Sequence, residues 1–260
     1  MRAHKIRVFG GIIAASSTML LATSGSAFAQ QWQWNVTPYV WASNMGVKVS
    51  TDTRQIVDRD FAFNDLLKDL DMTAQARFEA QRGRNGFFVD FFGNRLSKDA
   101  QVSLAQMGGA PAILSSSLAT AVIDSGGVFN PAGNRQGLTL IYGSRILIQR
   151  ASVDAQITVP QTPVVNEHKD LNKAKIDALA GARFSQPLSR RLTALMHADV
   201  SAGGTKYTWS GSAGLAYAFG GSRYTLIGGY RRMQIKLDND SSTEGTLTLS
   251  GIVSGVNIRF

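Results

Sequence analysis

Residues 72–82, MTAQARFEAQR, alternate between apolar and polar side chains along their whole length. The even-numbered positions are apolar from Met72 to Ala80, and the odd-numbered positions between them are polar. Successive side chains of a β-strand point to opposite faces of the sheet. The stretch therefore predicts a strand with one apolar face and one polar face.

The same alternation recurs throughout the chain in segments of ten or more residues, with Gly, Ser or Asn between them. Repeated segments of this kind are typical of transmembrane antiparallel barrels, in which one face meets lipid and the other faces the lumen. The segment 113–124 is rich in Ser and Ala and could instead be a loop or a helix. The pattern predicts an all-β, up-and-down barrel of about ten strands, with eight to twelve as the range: 33–48, 72–82, 86–97, 113–124, 137–158, 173–185, 190–202, 205–219, 222–237 and 246–260.

The predicted connections alternate in length, as they do in barrels with short periplasmic turns and longer outer loops. Three connections are short (82–86, 186–189 and 220–221), and four are long (49–71, 98–112, 159–172 and 238–245). Two connections do not follow this alternation of short and long. The connection near 203–204 is tiny where a long one is expected, and that near 125–136 is long where a short one is expected.

Composition also favours a membrane barrel over a soluble helical enzyme. Charged residues make up 17% of the chain and Gly accounts for 26 of 260 residues, respectively below and above the usual values. There is no Cys, so neither disulfides nor a His/Cys metal site is expected. Aromatic residues near the predicted strand ends suggest two interfacial girdles: Trp32, Trp34, Tyr39, Trp41, Tyr207, Trp209, Tyr217, Tyr224 and Tyr230.

The first 29 residues have the pattern of a secretory signal peptide. Three basic residues precede an apolar stretch over 8–22, and Ala27-Phe-Ala29 is a small-x-small cleavage site. The apolar stretch is too short to span a bilayer as a helix. We therefore expect residues 1–29 to be removed and residues 30–260 to form one barrel domain. Export makes nucleic acid an unlikely reason for the net charge of +9.

One segment, 61–71, departs from strand periodicity. Phe63, Leu66, Leu67 and Leu70 follow helical spacing and predict a short amphipathic helix. One interpretation is that this helix packs over a barrel mouth. The other is that it enters the lumen as a plug.

The last predicted strand ends in Phe260, with Ile252, Val256 and Ile258 on the same outward face. A terminal Phe on an alternating strand resembles the signal read by outer-membrane barrel assembly. The alternative is an ordinary edge strand that happens to end in Phe.

The predicted registers also place ten ionisable side chains in the lumen. They could form a buried ion-pair network that fills the barrel, or they could line a narrow path that prefers anions because arginines outnumber acids. A ten-stranded barrel is close to the size at which side chains fill the interior. The residues are Arg77, Glu79, Asp90, Arg145, Asp177, Arg183, His197, Asp199, Arg231 and Arg259.

No motif in the sequence predicts catalysis or a cofactor. The one catalytic hypothesis is a lipid-modifying site at the barrel rim, in which His197 and Asp199 would act with Ser210 or Ser212 on the next strand. We expect a non-enzymatic barrel with no metal and no cofactor.

Several stretches resemble an uncharacterised family of Gram-negative outer-membrane barrels related to small porin-like and OmpA-like proteins. The chain departs from that family where Asp199-Val-Ser-Ala-Gly-Gly204 replaces an Asp-x-Gly-Gly-Phe-Gly run, and again over 101–135. The resemblance implies an outer-membrane location and lipid, lipopolysaccharide and the barrel-assembly machinery as partners, but no known activity. The stretches are TPYVW (37–41), DLLKDLD (65–71), FEAQR (78–82), AGAR (180–183), GGYR (228–231) and the strand that ends at Phe260.

Overall fold

The computed structural model describes residues 31–51, 55–66, 70–104, 110–133, 136–157, 165–238 and 243–260. The predicted signal peptide, 1–29, lies outside these ranges. The described elements belong to one unit, Gln31–Phe260. They are β1 (Gln33–Thr51), β2 (Gln55–Phe61), α1 (Phe63–Leu66), β3 (Leu70–Arg82), β4 (Asn85–Leu104), β5 (Ala110–Phe129), β6 (Gly137–Ile157), β7 (Val165–Pro187), β8 (Leu192–Gly203), β9 (Tyr207–Ala218), β10 (Tyr224–Asp238) and β11 (Thr243–Arg259).

Ten of these strands close into an antiparallel barrel, which confirms the predicted fold. Each strand from β3 to β10 pairs with the next, β1 pairs with β3, and β11 pairs back onto β1 from Asn35↔Arg259 to Thr51↔Thr243. The strand β2 is outside the ring because it pairs only with the second half of β1. We call the end of the barrel that carries Gln33 and Arg259 the turn end, and the opposite end the loop end.

Several strands, above all β4, β5 and β7, are longer than the sequence pattern predicts. The doubtful segment 113–124 belongs to a full strand, β5, which pairs with β4 and β6 along most of its length. Backbone pairing on both sides holds a Ser/Ala-rich strand without help from large side chains. The described strands therefore extend into the predicted connections 98–112, 159–172 and 238–245, and β5 continues to Phe129 within the turn predicted over 125–136. The short connection after β8 is confirmed.

The outward face of the barrel carries many exposed apolar side chains. Aromatic rings cluster on this face at the turn end, where Trp34 lies 5.6 Å from Phe78 and 5.9 Å from Phe87 between ring centroids. Two aromatic residues predicted for the girdles, Tyr39 and Trp41, instead point into the lumen, because they share the inward face of β1. The exposed outward set includes Val40, Leu140, Ile176, Val200, Leu215, Leu226 and Ile252.

A short helix lies in the predicted segment, and within the described residues it is shorter than 61–71. Phe63–Leu66 is helical and Leu70 begins β3, while Leu67 lies outside the described residues. The backbone N–H of Phe63 donates to Asn44 Oδ1 at 2.8 Å, and Asn44 is on the outward face of β1. The helix thus lies at the barrel wall rather than in the lumen. None of the helices in the described ranges is long and apolar enough to cross a membrane.

Candidate functional site

A layer of charged side chains crosses the lumen at mid-height. It forms because the antiparallel registers bring Arg77 opposite Asp90, Asp90 opposite Asp124, and Asp124 opposite Arg145 on four adjacent strands. We call this set the charged layer: Arg77, Glu79, Asp90, Asp124, Arg145, Asp177, Arg183, His197, Asp199 and Arg231.

Arg145 is the most deeply buried charge, with 1% of its surface exposed. Its guanidinium donates two hydrogen bonds to Asp124, from Nε to Oδ1 and from Nη2 to Oδ2, each 2.7 Å long. Nη2 also lies 2.9 Å from Asp199 Oδ1 across the lumen. A bidentate pair with a second carboxylate nearby fixes the guanidinium rigidly and offsets the cost of removing it from water.

A second group of ion pairs lies beside the first. Glu79 accepts two hydrogen bonds from Arg183, at 2.8 and 2.6 Å, and two from Arg77, at 3.2 and 3.0 Å. Arg77 also reaches Asp90 Oδ2 at 3.4 Å, and the Tyr39 hydroxyl donates to Asp90 Oδ1 at 2.9 Å. These contacts link β1, β3, β4 and β7 through side chains across the interior.

The predicted His–Asp pair exists, but it lies inside the barrel. His197 Nε2 is 2.7 Å from Asp199 Oδ2. The register places Ser212 opposite His197 and Ser210 opposite Asp199, and Ser210 Oγ accepts a hydrogen bond from Arg231 Nε at 3.4 Å. Since β8 crosses mid-height at this point, the pair belongs to the charged layer and not to a rim.

Two further predicted residues have local roles. Asp177 accepts hydrogen bonds from Ser201 Oγ at 2.9 Å and from the backbone N–H of Thr205 at 2.7 Å, so it holds the tight turn after β8. Arg231 stacks over the Trp41 ring, 4.7 Å from its centroid. Arg259 is exposed at the turn end and is not part of the charged layer.

The structure also adds Asp124, which sequence reasoning missed because 113–124 looked like a loop. With Asp124 included and Arg259 excluded, the charged layer holds four arginines and five carboxylates. Inward arginines therefore do not outnumber acids in the charged layer, contrary to the prediction, and the expected anion preference loses its basis. An alternating pattern at Val122, Asp124 and Val128 could have identified the residue.

Apolar side chains enclose the charged layer from both ends of the barrel. On β4, β5 and β6 the inward side chains run from apolar to charged and back to apolar. One cluster lies toward the turn end and comprises Phe88, Val128, Ile141 and Leu179. The larger cluster, toward the loop end, comprises Trp41, Phe92, Val122, Leu147, Met233, Ile235, Leu247 and Leu249.

A cavity of about 180 Å³ lies in the lumen, lined by members of the charged layer such as Arg77, Arg183 and Arg231. Inward glycines make room for the large side chains around it. A Cβ atom on Gly255 would lie 2.7 Å from Tyr39 Cβ, and one on Gly181 would lie 2.7 Å from Asp199 Cβ. Within the described residues, no group of three or more His, Asp or Glu side chains is arranged to hold a metal ion.

At the loop end of the barrel, Glu244 bridges two lysines. Lys206 Nζ and Lys236 Nζ lie 2.5 and 2.7 Å from its carboxylate oxygens. The hydrogen bond from Lys206, with that from Lys236, lowers the pKa of Glu244 from 4.5 to about 2. The contribution of this exposed cluster to stability is present above pH 4.5 and is lost as the pH falls toward 2. It is small because solvent screens it.

Fold and lumen together define a closed, ten-stranded antiparallel barrel with ion pairs across its interior. No family model and no curated protein sequence matches the chain. Its resemblance to the uncharacterised barrel family therefore stays a prediction.

Among solved structures, the chain is similar to the outer membrane protease OmpT from Escherichia coli, at 7% identity and a TM-score of 0.43, over 92% of this chain and 100% of that chain. It is also similar to the translocator domain of the autotransporter NalP from Neisseria meningitidis, at 14% identity and a TM-score of 0.42, over 87% and 88% of the two chains. A third similar structure is the toluene transporter TodX of Pseudomonas putida, at 9% identity and a TM-score of 0.37, over 90% of each chain.

Arg145 should be essential for stability. The Arg145→Met substitution leaves Asp124 buried without its cation and Asp199 with His197 alone, and we expect it to cost about 3–5 kcal/mol of unfolding free energy. Urea unfolding of the refolded barrel measures this.

The triple variant R145M/D124N/D199N removes the same cation together with both of its anions. We expect it to recover most of the lost stability. If the triple variant is no more stable than R145M, the arginine acts by packing and not by charge.

Proposed function

We propose that this protein is an integral outer-membrane β-barrel with a closed lumen and a structural role in the bacterial envelope. The charged layer is the observation that carries the proposal, because it spans the lumen with ion pairs that are buried between two apolar clusters. A solute on the barrel axis would have to break these pairs in a region of low dielectric, which is costly.

The outward surface supports a membrane location. Large apolar side chains such as Ile176, Val200 and Ile252 are about 60–66% exposed. A soluble protein rarely exposes contiguous apolar surface on this scale, whereas a barrel in lipid requires it. The signal-peptide pattern of residues 1–29 is consistent with export.

Phe260 fits the proposed assembly signal. Its side chain is 65% exposed, and its backbone N–H donates to the carbonyl of Trp34 at 3.0 Å, next to the start of β1. The proposed partners are therefore outer-membrane lipids, lipopolysaccharide and the barrel-assembly machinery.

A small channel is the second candidate, and the cavity of about 180 Å³ in the lumen favours it. Three arginines line this cavity beside Asp90, Asp124 and Asp199. A rearrangement of the larger apolar cluster would connect the cavity to the loop end. In that case the balanced charges would give little selectivity for anions.

Planar-bilayer recording of the refolded 30–260 chain tests the closed lumen. We expect no steady conductance from the wild type. We also expect none when residues 63–66 are replaced by a Gly-Ser segment, because α1 lies at the wall. The variant W41A/F92A removes two large side chains from the larger apolar cluster. If one of these variants conducts, we expect it to be this one. Steady wild-type current from a heat-modifiable, inserted barrel would establish the channel instead.

Membrane location is tested at Ile252, near mid-height of the outward face. The Ile252→Arg substitution should destabilise the barrel in lipid vesicles by about 2–4 kcal/mol. Thr248→Arg, nearer the loop end, is the matched control and should cost much less. Equal stability of both variants in vesicles would contradict a lipid-facing surface at Ile252.

We propose no enzymatic activity. The His197→Ala variant should therefore leave the envelope lipids of an expressing strain unchanged, as judged by mass spectrometry against the wild type and an empty vector. A lipid species that requires the wild-type protein and disappears with H197A would establish the lipid-modifying alternative.

A further inference from the structure

The barrel wall contains a gap between β1 and β3. One edge of β1 is shared between two partners: residues 33–38 pair with β3, and residues 45–50 pair with β2. Pro38, which has no N–H group to donate, is the last residue paired with β3. Within the described ranges, no ladder pairing joins residues 39–44 to β3.

A single helical turn covers this gap in place of a strand. The helix α1 lies between β2 and β3 in sequence, and its first residue, Phe63, is attached to Asn44 by the 2.8 Å hydrogen bond. The Phe63 side chain lines a cavity of about 120 Å³ in the gap.

Residues from both faces of β1 line this cavity. Both Val40 and Trp41 line it. These consecutive residues face opposite sides of β1, since Val40 is 54% exposed on the outside and Trp41 is 3% exposed on the inside. The inner end of the cavity reaches Phe92 and Leu249 of the larger apolar cluster. An apolar molecule could therefore reach the interior from the side of the barrel.

Two buried polar atoms belong to side chains that line the cavity and have no hydrogen-bond partner among the described residues: Trp41 Nε1 and Gln75 Oε1. The amide nitrogen of Gln75, Nε2, donates to Thr73 Oγ1 at 3.1 Å, and this hydrogen bond fixes the orientation of the amide. A donor and an acceptor are thus both unsatisfied, which is costly in a buried site. A hydroxyl group can accept from the indole and donate to the amide oxygen at the same time.

We propose that this cavity binds a small ring compound with one hydroxyl group, such as a phenol, that enters laterally through the gap. A comparable apolar cavity of about 150 Å³ in another protein binds benzene, so a single ring fits the available space. The hydroxyl group meets Trp41 and Gln75, and the ring packs against Phe92 and Leu249. The lateral route from lipid rests on the proposed membrane location, but binding by itself does not.

The binding test uses the refolded 30–260 chain in detergent, titrated with 4-fluorophenol and with fluorobenzene and followed by fluorine NMR. The wild type should bind 4-fluorophenol about three- to tenfold more tightly, the usual contribution of one or two net hydrogen bonds. Gln75→Met removes the amide with little change of shape, and Trp41→Phe removes the indole N–H together with one ring. Each should reduce the preference for the hydroxyl compound toward equality.

The chain offers matched controls on its outer wall. Trp209 Nε1 donates to Gln234 Oε1 at 2.8 Å, so a second Trp–Gln pair exists away from the cavity. The variants W209F and Q234M should keep the full preference for 4-fluorophenol. The proposal is overturned if wild-type binding is not saturable, or if W41F and Q75M keep the preference while remaining folded by heat modifiability.

The lateral route has its own test in vesicles. In a background where Trp32, Trp34 and Trp209 are Phe, 4-bromophenol quenches the remaining Trp41, and stopped-flow fluorescence gives the rate. Val40→Phe narrows the outer mouth and should slow quenching severalfold, whereas Ile252→Phe on the neighbouring strand should not. An unchanged rate in V40F overturns lateral entry even if the membrane location, tested at Ile252→Arg, stands.

Discussion

Closure of the backbone ladder between β1 and β11 is the constraint on which the rest of the structure depends. A sheet in lipid cannot leave an edge unpaired, because no solvent satisfies its N–H and C=O groups. The register from Asn35↔Arg259 to Thr51↔Thr243 pairs β1 with β11 along nearly their whole length and also fixes which face of every strand points inward. A shift of this register by one residue would turn Trp41 outward and Val40 inward. It would likewise turn every other inward side chain of the strand to the outside.

The registers also make the buried charges tolerable. On the five neighbouring strands from β3 to β7, the residues paired in register are Arg77, Asp90, Asp124, Arg145 and Asp177. The two adjacent aspartates would repel each other in isolation, but an arginine flanks the pair on each side. Neither cation could be lost without leaving a buried anion. The charged layer is therefore a cooperative unit, and the apolar clusters around it exclude the water that would weaken it.

Alternation in the sequence was enough to predict the barrel, its strand number and the inward direction of residues such as Glu79 and Arg145. It failed where both faces of a strand are apolar or small. Asp124 was hidden in a Ser/Ala-rich segment that only backbone pairing with two neighbours makes into a strand. The inward Met233 and Ile235 were invisible as a lumen cluster, since periodicity does not show where an inward face changes from charged to apolar.

The proposed closed lumen and the proposed gap in the wall are complementary. Passage along the axis requires ion pairs around Arg145 to separate in a dry interior, and each separation leaves an unpaired buried charge. Passage through the side requires only that one helical turn, attached to the wall by the hydrogen bond at Asn44, moves away from β1. Segments of low local stability are the first parts of a folded protein to open. If any molecule enters this barrel, the energetics favour the gap between β1 and β3 over the two mouths.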